Sequence, residues 1–292
     1  MVVPMRHGYA RSSGTYRELD CDMDGNGQLQ ADDVVGALRY LRAQRWVDPE
    51  RIVVAGQSYG GLAALAFGTR GVPGVRGLIN FAGGLRLYGS DCPWRASLIA
   101  AFRDYGAHTT VPSLWFYGEN DRHFPPTLVQ RMYRAYVAAG GPARLIAYGP
   151  YRDDAHGMGA SWGGVSIWWP ATARFLRAIG MPTRKSVTLP ALPRLPDTHF
   201  APLRDAAALP YMDGKGRAAY REFLRQPLPR AFALSASGAW SWAEDGDDPK
   251  AKVLADCRKV SVTPCRLYAV NDRVVWRAAP PQLAAGAAPG AS

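Results

Sequence analysis

The sequence has no long apolar run and little lysine. No stretch of its 292 residues reaches the roughly 18 apolar residues that a membrane-spanning helix needs, so we expect no membrane span. Five lysines accompany a formal charge of +11, and the arginines that supply the rest are scattered along the chain. Because a nucleic-acid interface clusters its basic residues on one face, we also expect no nucleic-acid partner.

The sequence lacks a CxxC motif and any cluster of cysteine with histidine, which argues against a zinc site. It has four cysteines, and an even number favours two disulfides in an oxidising compartment. Cys257 and Cys265 flank a predicted helix end and strand start, whereas Cys21 and Cys92 lie in loops that follow sheet strands. We predict both bridges, with two buried free thiols as the alternative for the second pair. The expected location is the periplasm or the cell exterior.

The first 180 residues alternate apolar strands with helical segments, which predicts a mostly parallel sheet flanked by helices. The predicted strands are Val2–Pro4, Arg51–Gly56, Gly77–Ala82, Ser113–Gly118 and Ala143–Tyr148. The predicted helices are Asp33–Gln44, Tyr59–Gly68, Ser97–Tyr105, Pro126–Ala139 and Ile167–Ile179. We therefore predict an α/β catalytic domain over residues 1–180.

A proline-rich stretch, residues 181–200, reads as a linker, and residues 201–278 as a small α+β module. Its predicted elements are a helix at Gly216–Leu224, a strand at Arg230–Leu234, a helix at Pro249–Arg258 and a hairpin at Cys265–Trp276. Its many aromatic residues favour a small core over a carbohydrate-binding surface. The last residues, 279–292, are predicted to be a disordered tail.

The stretch Gly56-Gln57-Ser58-Tyr59-Gly60 matches the G-x-S-x-G pattern between a predicted strand and a predicted helix. Flanking glycines allow a sharp turn that exposes the serine hydroxyl. The backbone N–H of the following residue can then stabilise an oxyanion. We predict that Ser58 is a nucleophile and Tyr59 N–H an oxyanion donor; the alternative is a turn that only connects two elements.

A serine nucleophile needs a base that a carboxylate orients. In proteins that carry the G-x-S-x-G pattern between a strand and a helix, these residues follow one another along the chain in the order Ser, acid, His. A strand followed by Asp121 and a later strand followed by His156 supply that order. Glu119 is an alternative acid and His123 an alternative base, but strand-G-x-x-D favours Asp121 and the small neighbours of His156 favour an accessible imidazole. His108 and His199 lie in loops that follow no predicted strand.

With the elbow, ENDRHF and DDAHG in this order, residues 1–180 resemble the dienelactone hydrolase-like branch of the α/β-hydrolases. The segments VVPMRHGYARSSG and WVDPERIVVAGQSYGGLAAL carry the same resemblance. It implies that Ser58 is the nucleophile, Asp121 the acid and His156 the base. Dienelactone hydrolase itself uses a cysteine nucleophile, so the serine here points to carboxylesterase-type chemistry.

The resemblance fails at the N-terminus. The family's first three strands have no counterpart here, nor does the loop that gives the second oxyanion N–H; His7-Gly8 follows the wrong strand to replace it. Without the third strand, Val2–Pro4 would have to pair directly with the nucleophile strand. The start MVVPMRHGYA also shows no signal peptide. We therefore hypothesise an N-terminally shortened form of a longer exported esterase.

The stretch DMDGNGQLQADD, residues 22–33, fits D-x-[DN]-x-[DN]-G with an acid at the twelfth position. Its candidate calcium ligands are Asp22, Asp24, Asn26 and Asp33. The hypothesis is a structural calcium ion; the alternative is an acidic loop whose Asp32 caps the following helix.

The most consistent function is a serine hydrolase that cleaves small carboxylic esters through an acyl-enzyme and requires no cofactor. Trp115 and Trp162 are candidates for the wall of a substrate pocket. A serine peptidase of the prolyl-oligopeptidase type shares the same order of residues and is the first alternative. A non-catalytic binding or cell-envelope protein on a hydrolase scaffold is the second.

Overall fold

The computed structural model describes residues 1–9, 12–87, 91–184, 194–226, 228–244 and 248–278. The chain divides into two compact units, Met1–Ser186 and Val187–Ser292. The predicted tail, residues 279–292, and the middle of the predicted linker lie outside the described residues. Among the helices of the described ranges, none combines the length and the apolar character that crossing a membrane requires.

The first unit alternates helices and strands as the sequence predicts. Its helices are α1 (Met23–Arg42), α2 (Tyr59–Gly68), α3 (Trp94–His108), α4 (Pro126–Ala138) and α5 (Val165–Ala178). Its strands are β1 (Ile52–Gln57), β2 (Val75–Phe81), β3 (Ser113–Gly118) and β4 (Ala143–Tyr148). Two short 3₁₀ helices, Ala155–Ala160 and Trp162–Gly164, lie between β4 and α5.

The four strands form one parallel sheet in the order β1-β2-β3-β4. Alternate side chains of β3 serve two cores: Trp115 and Tyr117 pack among α1–α4, and Leu114 and Phe116 pack towards α5. This alternation follows from the period of two in a strand. Because all four strands are parallel, the segments that follow them leave from the same edge of the sheet, and this edge carries the candidate site.

Two predictions for the N-terminal region are wrong. Residues 2–4 form no strand and are exposed. Helix α1 begins ten residues before the predicted start, because Asp22 Oδ1 accepts a hydrogen bond from Gly25 N at 2.8 Å and so caps it. Two glycines in the first turns disfavour a helix, but burial compensates: a Cβ on Gly27 would lie 2.1 Å from the Tyr105 hydroxyl.

The second unit has an antiparallel sheet in the order β6-β5-β7-β8. Its elements are α6 (Gly214–Phe223), β5 (Arg230–Ser235), β6 (Trp240–Glu244), α7 (Pro249–Val260), β7 (Cys265–Val270) and β8 (Arg273–Val274), with a 3₁₀ turn at Ala206–Ala208. The sequence analysis missed β6, which pairs with β5 through a tight turn in which Ser235 N donates to Ala239 O at 2.9 Å.

The aromatic residues of this unit form its core, as predicted. Phe232 and Tyr268 are fully buried among Tyr220 and Phe223, on the face of the sheet that packs α6. The opposite face of β5 presents alanines to α7. Among the aromatic residues of this unit, Tyr211 is an exception, because it is 56% exposed.

Both predicted disulfides are present. Cys21 is bonded to Cys92 across 71 residues, and Cys257 to Cys265 across 8. The first joins the segment before α1 to the segment before α3, and the second joins α7 to the start of β7. Two disulfides are typical of proteins from an extracellular or periplasmic compartment.

Candidate active site

Ser58 lies in a strained turn between β1 and α2. Its backbone has φ 54° and ψ −123°, a region that a residue with a Cβ rarely adopts. Ser58 O accepts hydrogen bonds from three backbone N–H groups, those of Gly61, Leu62 and Gly84, at 2.9 to 3.1 Å. These bonds hold the turn in place and compensate for its strain.

The two glycines of the G-x-S-x-G pattern play different roles in this turn. A Cβ on Gly56 would lie 1.9 Å from Gly60 O, so β1 and α2 can approach this closely only with glycine there. A Cβ on Gly60 would meet nothing within 4 Å, whereas one on Gly61 would lie 2.5 Å from Asn80 Oδ1. The close contacts therefore fall on Gly56 and Gly61.

Asp121 lies in the turn after β3, and its side chain is fully buried. Its Oδ1 accepts hydrogen bonds from His123 N at 2.8 Å and Phe124 N at 2.9 Å, which fix the carboxylate. Its Oδ2 lies 3.1 Å from His156 Nδ1. The alternative acid, Glu119, is exposed, and its backbone N donates to Tyr148 O.

His156 belongs to the 3₁₀ helix Ala155–Ala160 that follows β4. Its Nε2 lies 2.9 Å from Ser58 Oγ, so serine, imidazole and carboxylate form a continuous chain of hydrogen bonds. The structure thus brings together Ser58, Asp121 and His156, which are far apart in sequence. In such a chain, an imidazole that donates its Nδ1–H to a carboxylate can accept a proton from the hydroxyl through Nε2.

Two residues that the sequence analysis did not single out hold the backbone of His156. Asp154 Oδ1 accepts a hydrogen bond from His156 N at 2.9 Å. Gln57 Nε2, from the end of β1, donates to His156 O at 2.8 Å. The Asp-x-His spacing is a recognisable capping pattern, but no local pattern signals the contact of Gln57, which spans 99 residues of sequence.

His123, the alternative base, lies beside His156 without replacing it. The centroids of the two rings are 4.2 Å apart, and the rings are tilted by 40°. Burial and the neighbouring His156 lower the pKa of His123 below its ordinary value, against the opposing effect of Asp121 and Asp154. His108 and His199 are exposed and contact Asp104 and Asp197 on the surface.

The remaining predicted site residues have different surroundings. Tyr59 begins α2, its hydroxyl lies 3.2 Å from Asn26 Oδ1, and burial raises the pKa of Tyr59 to about 12. Trp162 is 58% exposed in the second 3₁₀ helix. The prediction for Trp115 is wrong: it is fully buried between α3 and α4, so it lines no substrate pocket.

The predicted calcium loop is also corrected, because residues 23–42 form a helix. Asp22 caps that helix, and Asp24 follows on its first turn. Asn26 is fully buried and its Oδ1 accepts from Leu19 N at 2.8 Å, whereas Asp33 Oδ2 accepts from His7 N at 2.9 Å. Asp22, Asn26 and Asp33 therefore bond to different partners. Across the described ranges, no group of three or more His, Cys, Asp or Glu residues is placed to hold a metal ion.

A parallel sheet between helices, with a strained serine after one strand and the acid and histidine after two later ones, is the architecture of the α/β-hydrolase fold. A family model described as the prolyl oligopeptidase family matches residues 20–71, which include α1, β1 and the serine turn. This match fits the resemblance of the sequence to the α/β-hydrolases. No curated protein was found to match the chain.

The chain is similar to several solved structures of hydrolases. A puromycin-hydrolysing peptidase from Mycobacterium tuberculosis is 20% identical with a TM-score of 0.41, over 55% of this chain and 27% of that one. An esterase from Pyrococcus furiosus is 16% identical with a TM-score of 0.42, over 58% of this chain and 66% of that one. An esterase from Thermogutta terrifontis is 20% identical with a TM-score of 0.38, over 54% and 65%. The chain thus spans less than two-thirds of the length of each.

Proposed function

We propose that this chain is a serine hydrolase that cleaves carboxylic esters through an acyl-enzyme. The observation that carries the proposal is the 2.9 Å contact between Ser58 Oγ and His156 Nε2, with Asp121 Oδ2 3.1 Å from the other ring nitrogen. Burial of the Asp121 side chain supports the same role, because a carboxylate without solvent access keeps its interaction with the imidazole.

In the first step, Ser58 Oγ attacks the ester carbonyl carbon while His156 Nε2 takes the hydroxyl proton. The carbonyl oxygen becomes an oxyanion that the N–H of Tyr59, the first residue of α2, stabilises. His156 then gives its proton to the leaving alcohol as the C–O bond breaks, which leaves the acyl group on Ser58.

In the second step, His156 removes a proton from water, which attacks the acyl-enzyme. Collapse of the second oxyanion returns the proton to Ser58 Oγ and releases the carboxylic acid. Asp121 accepts the Nδ1–H hydrogen bond throughout and stabilises the imidazolium that forms in both steps. Apart from the ester and this water, the proposed steps use only groups of the chain. Trp162 is the proposed aromatic wall of the acyl pocket.

A serine peptidase is the second candidate, because the family model that matches the serine turn describes prolyl oligopeptidases. The same hydroxyl, imidazole and carboxylate can cleave an amide. Both candidates fit a periplasmic or secreted protein, since the two disulfides persist in an oxidising compartment.

Labelling with a fluorophosphonate probe tests the nucleophile. We expect an adduct on Ser58, found by peptide mass spectrometry, and none in Ser58→Ala. Absence of the adduct in the wild-type chain would favour the remaining hypothesis, a non-catalytic binding protein on a hydrolase scaffold. A panel of p-nitrophenyl esters and prolyl anilides then separates the two enzymes: faster turnover of the esters supports the esterase, and faster turnover of the anilides the peptidase.

A further inference from the structure

The segment that carries His156 has to cross the sheet to reach Ser58. Ser58 follows β1 and His156 follows β4, and these two strands lie at opposite edges of the sheet. Neighbouring strands are about 4.8 Å apart, so the ends of β1 and β4 are separated by about 14 Å. The position of the imidazole therefore depends on what holds this crossing segment, residues 149–160, at its far end.

Close contacts trace the course of the crossing segment. A Cβ on Gly118, the last residue of β3, would lie 2.3 Å from the Cβ of Ala155. A Cβ on Gly159 would lie 2.8 Å from the ring of Phe81, the last residue of β2. The segment thus runs over the ends of β3 and β2 in turn. At β1, Gln57 Nε2 donates a hydrogen bond to His156 O at 2.8 Å.

Three other hydrogen bonds to the backbone of this segment come from its own side of the sheet. Tyr148, the last residue of β4, donates its hydroxyl to Ala155 O at 3.0 Å. Asn120 Nδ2, in the turn after β3, donates to Arg152 O at 2.8 Å. Asp154 accepts from His156 N within the segment itself. By contrast, the hydrogen bond from Gln57, the residue directly before Ser58, ties the segment to the end of β1.

We propose that Gln57 is a positioning residue: its amide fixes the backbone of His156 against the nucleophile strand, so that serine and imidazole move as one unit. This inference rests on the proposed function of the same site. A hydrogen bond of this kind contributes modestly to stability, but the loss of alignment affects every turnover. Removing the donor is expected to lower kcat about tenfold and to leave KM unchanged, since the amide is occupied by His156 O.

The test compares Gln57→Met, which keeps the length of the side chain without its donor, with Gln28→Met as a matched control. Gln28 is also half-buried, but it lies on α1, where its amide contacts Asp24 and Thr69. We expect Gln57→Met to react with the fluorophosphonate about tenfold more slowly than wild type, and Gln28→Met at the wild-type rate. Wild-type labelling of Gln57→Met, with the fold intact, would overturn the inference.

A second variant, Gln57→Glu, keeps the positioning role of Gln57 testable if methionine at this position disturbs the packing. An ionised carboxylate cannot donate to His156 O, whereas a protonated one can. At pH 7, where a glutamate side chain is ionised, we therefore expect its labelling rate to be about tenfold below that of wild type or lower. A wild-type rate at pH 7 would contradict a role for the donated hydrogen bond.

Hydrogen exchange separates this inference from the proposed function. We expect the backbone amides of residues 155–160 to exchange at least fivefold faster in Gln57→Met than in Gln28→Met. If wild type is not labelled by the probe, the proposed function fails and exchange alone decides whether Gln57 fixes the segment. If wild type is labelled but exchange is unchanged in Gln57→Met, the positioning role fails while the hydrolase remains.

Discussion

The imidazole rings of His123 and His156 lie with their centroids 4.2 Å apart. His123 is two residues after the buried Asp121, and its own backbone N–H donates to that carboxylate. Burial, the charge of His156 and, to a smaller degree, Arg86 disfavour protonation of His123, while Asp121 and Asp154 favour it; the net effect lowers its pKa. The site therefore has a second titratable ring next to the proposed base.

This lowered pKa predicts a loss of stability in mild acid. The unfolded chain binds a proton at His123 more readily than the folded one, so stability falls as pH drops below about 6.5 towards the folded pKa. We therefore expect the free energy of unfolding, measured by urea denaturation, to decrease less between pH 7 and pH 5 in His123→Asn than in wild type. An NMR titration midpoint for His123 at or above 6.5 would contradict this prediction.

The carboxyl of Asp154 is expected to cause a further loss of stability, in the same direction but at lower pH. Burial raises its pKa. Hydrogen bonds from the backbone N–H groups of His156 and Arg122, together with the charges of His156 and His123, lower it by more, so the net pKa lies below its ordinary value of 3.8. Its contribution to stability is present above that value and is lost as pH falls through the folded pKa. We expect Asp154→Asn to be less stable than wild type at pH 7 and the difference to shrink below pH about 4. Asp153→Asn, at an exposed neighbour, is the control.

The two motif glycines predict unequal effects of alanine. Gly56→Ala places a Cβ 1.9 Å from Gly60 O, so the turn must shift. We expect this variant to lose more than about 2 kcal/mol of stability and also to lose the fluorophosphonate labelling of Ser58. Gly60→Ala has open space on a helix, where alanine is favoured over glycine by about 1 kcal/mol. Thermal unfolding compares them, and equal melting temperatures would show that the turn relaxes around Gly56.

For Tyr59, we predict that the backbone N–H takes part in the chemistry and that the side-chain hydroxyl does not. The hydroxyl is directed to Asn26 on α1, so Tyr59→Phe should label with the fluorophosphonate within about twofold of wild type while losing about 1 kcal/mol of stability. A labelling rate lower by more than tenfold, without unfolding, would assign the hydroxyl to the site.

The two disulfides should stabilise the chain unequally. A loop-entropy model gives about 4 kcal/mol for Cys21–Cys92 and about 2.5 kcal/mol for Cys257–Cys265, because the first closes a loop of 71 residues and the second one of 8. We expect Cys21→Ser with Cys92→Ser to lower the free energy of urea unfolding more than Cys257→Ser with Cys265→Ser. The reverse order would mean that strain or residual structure outweighs loop length.

The buried elements were predictable because their patterns are local. The bounds of α2, β3 and β4 match the prediction, since a continuous apolar run or a small-residue helix shows its ends in the sequence. The order of Ser58, Asp121 and His156 also follows from local patterns, each after a strand. The start of α1 was missed because residues 22–33 fitted a calcium-binding loop. Burial of Gly27 against Tyr105 favours the helix there despite the low helix propensity of glycine.

Other features depend on position in three dimensions. Trp115 was a candidate for the wall of a substrate pocket, yet it lies three residues before the end of β3, about 10 Å from the edge of the sheet that carries the site. Strand β6 was missed because its five residues, WSWAE, make a weak alternating pattern that only pairing with β5 stabilises.

By itself, the sequence determined which residue types follow which strands, and so the candidates for nucleophile, acid and base and both cysteine pairs. The tertiary structure decided that His156 reaches Ser58 across the whole width of the sheet and that Gln57 holds it there. The physical reason is range: strand, helix and turn propensities act over a few residues, whereas these contacts join positions almost 100 residues apart and exist only once the sheet has formed.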